Sequence, residues 1–281
     1  MRIGGGMREE VIGDCRLILG DCREVLPTLA GVDLLFTSPP YNLGNTTGGG
    51  FPGKKLGHYS ENGGLRVRGG HGKWGGGALA DGYSGYGDNL PFAEYVAWQK
   101  EILTLCWSAL SDKGAIYYNH KTRVLNGEAV TPLVYNPGLP VRQIVIWARS
   151  GGINFSPAFY VPTHEWIVIF AKPDFRLKSK GASGAGDVWY IPQESNPSHP
   201  APFPVALPER AIESTPRGLV ADPFMGIAST GVACVNQGRS FIGVERDPGY
   251  FEIGLKRIEA AYRQPRLFAE PAVKPEQEPL L

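Results

Sequence analysis

Short apolar runs alternate along the chain with stretches whose apolar residues recur at helical spacing. Seven such runs are predicted strands: Arg16–Leu19, Asp33–Phe36, Gly114–Tyr118, Gln143–Trp147, Trp166–Phe170, Leu219–Ala221 and Ser240–Val244. Four stretches are predicted helices: Phe92–Leu110, Leu207–Glu213, Ser229–Gln237 and Tyr250–Tyr262. Apolar strands that alternate with helices indicate an α/β fold whose mostly parallel sheet is covered on both faces. Such folds bind ligands beyond the carboxyl ends of their strands, so the residues there are the first candidates for function.

The composition is that of a soluble globular protein, because 42% of the 281 residues are hydrophobic and 20% are charged. No stretch reaches roughly eighteen consecutive apolar residues, so no membrane span is predicted. Residues 1–10 lack the apolar core of a signal peptide, and we therefore expect a cytoplasmic protein. A net charge of +1 neither requires nor excludes a nucleic-acid partner. The four cysteines include no C-x-x-C pair, so no metal site is predicted.

Two regions lack this alternation. Residues 43–90 contain seventeen glycines among forty-eight residues and no apolar periodicity, which predicts a mobile insertion. This insertion is either a disordered surface loop, or a lid or DNA-contacting loop that orders when ligand binds. Its candidate DNA contacts are Lys54, Lys55, Arg66, Arg68 and Lys73. Residues 264–281 carry four prolines and are predicted to form a flexible tail.

The predicted strand at Asp33–Phe36 runs into Ser38-Pro39-Pro40-Tyr41. Two successive prolines remove two backbone donors and fix two φ angles, so the local carbonyls are held rigidly. A rigid carbonyl, a hydroxyl and an aromatic ring within four residues form a small polar clamp with a stacking face. A proline-rich turn that only closes the strand is the alternative.

The predicted strand at Leu219–Ala221 runs into a glycine turn at Gly226, and a helix follows from Ser229. A glycine turn between a strand and a helix is typical of nucleotide-binding units, although Ala228 stands where G-x-G-x-x-G has its second glycine. The next strand ends in Glu245, 19 positions after Gly226, and an acid at about this distance accepts hydrogen bonds from ribose hydroxyls. These features fit NAD and S-adenosylmethionine alike.

Together these segments resemble the amino-methyltransferases of DNA, which methylate N4 of cytosine or N6 of adenine. Ser38-Pro39-Pro40-Tyr41 matches their catalytic motif, (Asp/Asn/Ser)-Pro-Pro-(Tyr/Phe/Trp). Residues 222–230 resemble their cofactor motif, Asp-Pro-Phe-x-Gly-Ser-Gly-Thr-Thr, but Ile227 and Ala228 replace the usual Ser and Gly. Further segments that resemble the family are Leu19-Gly20-Asp21-Cys22, Thr163-His164-Glu165-Trp166 and residues 199–210. The motif order is the circularly permuted one of the beta group, and the resemblance covers residues 11–263.

The resemblance implies one methyltransferase domain with a Rossmann-like, mostly parallel seven-stranded sheet that contains one antiparallel strand. It implies S-adenosyl-L-methionine as the cofactor. The residues expected to bind the cofactor are Asp21, Cys22, Phe203, Asp222, Phe224, Gly226, Ser229, Thr230 and Glu245. In this assignment Asp21 and Cys22 border the adenine, Glu245 holds the ribose, and Ser229 offers a donor at the helix start. Helix capping for this serine and core packing for the two phenylalanines are the alternatives.

The resemblance also implies methyl transfer to the exocyclic amino group of a base that is flipped out of double-stranded DNA. This nitrogen is a poor nucleophile because its lone pair is delocalised into the ring. The Ser38 side chain and the Pro39 carbonyl are the expected acceptors of its hydrogens, Pro40 stiffens the motif, and Tyr41 is expected to stack on the base. Serine at the first motif position favours N4 of cytosine over N6 of adenine.

A short segment at 173–198 falls where the beta group places its target-recognition region. Arg176, Lys178 and Lys180 are its expected phosphate contacts. So short a segment suggests that the insertion at 43–90 shares this role, and it points to a homodimer. A cognate restriction endonuclease of a restriction-modification system is a further candidate partner.

Two other hypotheses stay open. The altered Ile227-Ala228 turn is compatible with a protein that binds DNA or the cofactor without catalysis. The glycine turn and Glu245 are compatible with a nicotinamide oxidoreductase, but this hypothesis leaves Ser-Pro-Pro-Tyr unexplained.

Overall fold

The computed structural model describes residues 2–3, 7–42, 90–149, 157–194 and 203–264. The expected insertion at 43–90, apart from Leu90, lies outside the described residues. Its five candidate DNA contacts, Lys54, Lys55, Arg66, Arg68 and Lys73, therefore lie outside them too. The same holds for the expected tail, apart from Gln264.

Strands and helices alternate through the described part of the chain. The strands there are β1 (Arg2–Ile3), β2 (Met7–Ile12), β3 (Cys15–Leu19), β4 (Val32–Thr37), β5 (Leu110–His120), β6 (Arg123–Leu125), β7 (Glu128–Val130), β8 (Val141–Ala148), β9 (His164–Ala171), β10 (Val188–Tyr190), β11 (Leu219–Asp222) and β12 (Phe241–Glu245). The α-helices there are α1 (Cys22–Val25), α2 (Phe92–Ala109), α3 (Lys180–Ser183), α4 (Ala206–Ser214), α5 (Ser229–Gln237) and α6 (Pro248–Arg263). Two short 3-10 helices are Leu26–Thr28 and Pro132–Tyr135.

One mixed sheet organises these elements, with the strand order β1-β2-β3-β12-β11-β4-β5-β9-β8-β10 over the described residues. Its centre is the unit β3-β12-β11-β4-β5-β9-β8, whose seven strands are the seven predicted ones. Within this unit β9 runs antiparallel to both of its neighbours, and the other adjacent strands are parallel. The predicted Rossmann-like α/β fold with one antiparallel strand is therefore confirmed. The sequence missed β1, β2 and β10, which extend this unit at its two ends, because they are short or, in β2, rich in charge.

Apolar side chains cover both faces of the sheet. In β4, Leu34 and Phe36 belong to the core on one face, Leu35 belongs to the core on the other, and none of the three is exposed. Helices α4, α5 and α6 cover the first face, and α1 and α2 cover the second. Burial on both sides explains why the central strands are continuous apolar runs. None of the helices in the described ranges is long and apolar enough to cross a membrane.

The parallel strands β3, β12, β11, β4 and β5 all end at one edge of the sheet, which we call the carboxyl edge. Ser38 follows β4 at this edge, and Asp222 and Glu245 end the neighbouring strands β11 and β12. Because β9 runs in the opposite direction, it begins here: Trp166 pairs with His120 at the end of β5. Glu165 is thereby brought to the carboxyl edge as well.

Candidate active site

A cavity opens at the carboxyl edge, between the loops that follow β3, β4, β11 and β12. The predicted residues that line it are Asp21, Cys22, Ser38, Pro40, Tyr41, Phe203, Phe224, Gly226, Ser229 and Glu245. Other lining residues include Trp98 of α2 and Tyr250 of α6. Pro39, Asp222 and Thr230 do not belong to its lining. The catalytic and cofactor motifs of the sequence thus converge on one cavity.

The turn between β11 and α5 forms one wall of the cavity. Gly226 and Ala228 both adopt the left-handed backbone conformation, with φ of 53° and 63°. This conformation costs a residue with a Cβ about 1–2 kcal/mol. Arg257 of α6 supports the turn, because its Nη1 donates to the Ile227 carbonyl at 2.6 Å and lies 3.3 Å from Ser229 Oγ. The turn therefore keeps two positive φ angles even though alanine replaces the second glycine, and the Ser229 side chain does not cap α5.

Asp222 and Thr230 lie behind this wall. The Asp222 carboxylate is fully buried and accepts hydrogen bonds from Thr37 Oγ1 at 2.9 Å, Thr230 Oγ1 at 2.7 Å and the Phe224 N–H at 3.1 Å. Burial raises the pKa of Asp222 to about 6, although all three hydrogen bonds favour the ionised form. The side chains of Asp222 and Thr230 thus bond to each other and, with Thr37, join β4, β11 and α5 behind the wall. The contact with the cofactor expected for these two residues stays a prediction.

Glu245 places its carboxylate on the cavity surface at the end of β12. Its Oε2 accepts a hydrogen bond from the Gly226 N–H at 2.8 Å, and its Oε1 accepts one from the Asp247 N–H at 2.7 Å. Burial nevertheless raises the pKa of Glu245 to about 7, because the desolvation outweighs these backbone donors. Each carboxylate oxygen has two lone pairs, so the group can still accept hydrogen bonds from hydroxyls in the cavity.

Aromatic rings supply the apolar part of the lining. Phe224 meets Trp98 edge to face with 5.5 Å between ring centroids, and Phe203 packs on Phe36 at the same distance. Asp21, at the end of the cavity formed by β3, caps α1 by accepting a hydrogen bond from the Arg23 N–H at 2.9 Å. Its side-chain hydrogen bond to the Arg23 guanidinium lowers the pKa of Asp21. Phe203 thus both packs on the core and lines the cavity.

The Ser-Pro-Pro-Tyr loop is fastened by side chains of α2, β5 and β6. Tyr95 Oη donates to the Pro40 carbonyl at 2.6 Å and lies 2.8 Å from His120 Nε2. His120 is fully buried, and burial lowers its pKa to about 3, so the imidazole is neutral. Arg123 donates a hydrogen bond to the Tyr41 carbonyl. These contacts hold the loop in one conformation.

Polar groups from β4, β5 and β9 converge on the Ser38 hydroxyl. Tyr41 Oη lies 2.8 Å from Ser38 Oγ and donates to Glu165 Oε2 at 2.9 Å. Asn119 Nδ2 lies 3.3 Å from Ser38 Oγ, 3.1 Å from Tyr41 Oη and 2.9 Å from Glu165 Oε2. Arg149 Nη1 forms an ion pair with Glu165 Oε1 at 3.3 Å. The Tyr41 ring is only 8% exposed and packs edge-on against a histidine ring, so its hydroxyl is engaged inside the protein.

The basic residues Arg176, Lys178 and Lys180 do not lie beside this cavity. They follow β9, which carries the chain through eight residues, or about 26 Å, to the opposite edge of the sheet. There the Lys172 N–H bonds to the Gly114 carbonyl, near the start of β5. Their expected contact with DNA phosphates stays a prediction, and the direction of β9 places it away from the cavity.

Several groups at the carboxyl edge were not predicted. Asn119 is the last residue but one of β5, and Arg149 follows β8. Glu165 lies in a segment that resembles the family, but no role was predicted for it. Two further cations there are Arg123 and Lys121, whose Nζ lies 4.9 Å from the Tyr41 ring centroid. These residues could have been predicted from their positions at or near strand ends, but only if the direction of each strand in the sheet had been known.

Residues 32–256 match the model of the DNA methylase family that comprises the N6 and N4 types. The chain belongs to this family. Its curated relatives include two type II methyltransferases of Bacillus subtilis. M.BglII is 28% identical over 60% of this chain, and M.BglI is 34% identical over 52% of it. The matches cover 58% and 47% of those two relatives, so the chain spans about half of their length. The DNA adenine methyltransferase YhdJ of Escherichia coli K12 is 22% identical over 82% of the chain and 77% of its own length.

Solved structures show the same fold. The cytosine-N4-specific PvuII DNA methyltransferase has a TM-score of 0.60 at 19% identity, over 88% of this chain and 91% of its own. The protein TTHA0409 of Thermus thermophilus, solved in complex with S-adenosyl-L-methionine, has a TM-score of 0.56 at 21% identity, over 87% of this chain and 93% of its own.

Proposed function

We propose that this chain is a site-specific DNA methyltransferase that transfers a methyl group from S-adenosyl-L-methionine to the exocyclic N4 amino group of a flipped-out cytosine in double-stranded DNA. The observation that carries the proposal is the single cavity lined by the Ser-Pro-Pro-Tyr loop, Gly226 and Glu245. Family membership and the fold shared with a cytosine-N4-specific enzyme support it.

The lining of the cavity suits this cofactor in its chemistry. The residues proposed to hold it are Asp21, Cys22, Phe203, Phe224, Gly226, Ser229 and Glu245. The Glu245 carboxylate accepts hydrogen bonds from ribose hydroxyls, the aromatic rings provide apolar surface for the adenine, and the start of α5 at Ser229 favours a carboxylate. When bound, the cofactor supplies an electrophilic methyl group on a sulfonium. Asp222 and Thr230 position these groups from behind the wall.

The Ser-Pro-Pro-Tyr loop acts on the target amino group. Ser38 Oγ, which lines the cavity, accepts one of its hydrogens, which draws the nitrogen toward tetrahedral geometry and makes its lone pair available. The Pro39 carbonyl is the second proposed acceptor on sequence grounds alone, because Pro39 does not line the cavity. Because Tyr95 and Arg123 hold the loop, these acceptors need no reorganisation when the reaction occurs. Tyr41 also lines the cavity, and its ring is proposed to stack on the base.

DNA approaches the carboxyl edge, where the target base enters the cavity. Lys121 and Arg123 supply positive charge there for the phosphates that flank the base, whereas the charge of Arg149 is paired with Glu165. The cations of the insertion at 43–90 are further proposed contacts on sequence grounds. A homodimer and a cognate restriction endonuclease are proposed partners on the same grounds.

The same chemistry on N6 of adenine is the second candidate, and the match to the DNA adenine methyltransferase YhdJ favours it. Mass spectrometry of nucleosides distinguishes the two after the protein has acted on unmethylated DNA of mixed sequence with S-adenosyl-L-methionine. N4-methylcytosine is the expected product. N6-methyladenine alone would overturn the choice of base but keep the mechanism, and the absence of both would overturn the proposed activity.

The role of Ser38 is tested by Ser38→Ala. Loss of one buried acceptor should cost roughly 1–3 kcal/mol of transition-state stabilisation, or about tenfold to a hundredfold in rate. Ser108→Ala is the matched control, because this exposed hydroxyl bonds only within α2 and should leave the rate unchanged. Wild-type turnover by Ser38→Ala would contradict the role of Ser38.

A further inference from the structure

A directed chain of hydrogen bonds leads from Ser38 away from the cavity to a buried carboxylate. Tyr41 Oη donates to Glu165 Oε2 at 2.9 Å, and a phenol has only one hydrogen to donate. Toward Ser38 Oγ, 2.8 Å away, Tyr41 Oη can therefore only accept. The Ser38 hydroxyl hydrogen is thus directed at Tyr41 and not into the cavity.

The neighbours of Glu165 maintain the direction of these hydrogen bonds, from Ser38 through Tyr41 to the Glu165 carboxylate. It is 5% exposed, Arg149 Nη1 lies 3.3 Å from its Oε1, and Asn119 Nδ2 lies 2.9 Å from its Oε2. A buried carboxylate is retained where it is paired with a cation and hydrogen-bonded. All of these partners donate, so Glu165 acts only as an acceptor at the end of the chain.

The hydroxyl of Ser38 is left with one acceptor position toward the cavity. An alcohol oxygen has one hydrogen and two lone pairs. The hydrogen is engaged by Tyr41, and one lone pair faces Asn119 Nδ2 at 3.3 Å. The remaining lone pair is available to a donor in the cavity, such as the hydrogen of an exocyclic amino group.

We propose that Glu165 is a positioning residue for methyl transfer: acting through Tyr41, it holds Ser38 as a hydrogen-bond acceptor toward the target amino group. This inference rests on the proposed function. A Ser38 hydroxyl that was free to turn would donate into the cavity, and a donor aimed at the amino nitrogen would engage the lone pair that must attack the methyl group. Glu165 removes that orientation without touching the substrate.

A double-mutant cycle tests this inference. Single-turnover methylation of DNA with radiolabelled S-adenosyl-L-methionine is measured for wild type, Glu165→Gln, Ser38→Ala and the double variant. Glu165→Gln should slow transfer about tenfold in the wild-type background and less than twofold in the Ser38→Ala background. Calorimetric affinity for the cofactor should be unchanged.

Tyr41→Phe breaks the same chain at its middle and should repeat this pattern, which keeps the test available if Glu165→Gln does not fold. Tyr135→Phe is the matched control, because the Tyr135 hydroxyl is buried without a hydrogen-bond partner among the described residues, and its rate should equal that of wild type.

If Glu165→Gln slows methyl transfer equally in both backgrounds, the inference is overturned and the proposed function stays intact. The effect of Glu165 would then be independent of Ser38, as expected if this residue only stabilises the fold around the site. A wild-type protein that transfers no methyl group to DNA would overturn the proposed function and this inference with it.

Discussion

Protonation of Glu245 is expected to control cofactor affinity near neutral pH. Burial raises its pKa from 4.5 to about 7. The ionised form accepts hydrogen bonds from ribose hydroxyls, whereas protonation removes acceptor capacity. If only the ionised form binds, the competent fraction is about one eleventh at pH 6 and about ten elevenths at pH 8. The dissociation constant should therefore be about tenfold larger at pH 6 than at pH 8, and binding should release protons at the lower pH.

Isothermal titration calorimetry of wild type and Glu245→Gln with S-adenosyl-L-methionine, at pH 6, 7 and 8, measures this effect. The variant lacks the titrating group but retains any titration of the ligand itself, so the ratio of the two dissociation constants isolates Glu245. That ratio should change about tenfold between pH 6 and pH 8. A constant ratio would refute the reasoning. A pH dependence shared by both proteins would point to the ligand or to Asp222, whose pKa burial raises to about 6.

Two matched pairs of variants test the scaffold of the site. Tyr95→Phe removes the hydroxyl that donates to the Pro40 carbonyl and should lower the free energy of unfolding in urea by about 1–3 kcal/mol. Tyr135→Phe should leave the free energy of unfolding unchanged, because the Tyr135 hydroxyl has no hydrogen-bond partner among the described residues. Equal losses in the two variants would contradict the stabilising role of the Tyr95 hydrogen bond. Gly226→Ala and Gly238→Ala each place a side chain at positive φ, 53° and 62°, and should each cost about 1–2 kcal/mol in the same assay. In calorimetry, only Gly226→Ala should also weaken cofactor binding, and equal affinities would place Gly226 outside the binding site.

The seven central strands could be predicted because each is buried on both faces and therefore reads as an apolar run. Gly226 and Glu245 could be located as candidates because each lies directly after or at the end of such a strand. The roles of Asp222 and Thr230 were harder to infer. Their order along the chain matches a cofactor motif, but the side chains turn toward each other, away from the cavity.

The resemblance in motifs led to the right family and fold, but the neighbours of Ser38 could not be inferred from it. Asn119 and Glu165 reach Ser38 and Tyr41 from strands far along the chain, and 124 residues separate Tyr41 from Glu165. Such contacts depend on which strands are adjacent and on the register of their pairing, which no local pattern specifies.

Apolar periodicity and turn residues, read along the chain, were enough to indicate where strands and helices form and which loops carry polar groups, because burial and backbone conformation are local demands on residue type. The direction of β9 was settled by its packing between β5 and β8. That direction brings Glu165 to the carboxyl edge and takes Arg176, Lys178 and Lys180 to the opposite one. An apolar strand buried on both faces has the same composition whichever way it runs, so its direction follows from the pairing with its neighbours and the connections at its ends.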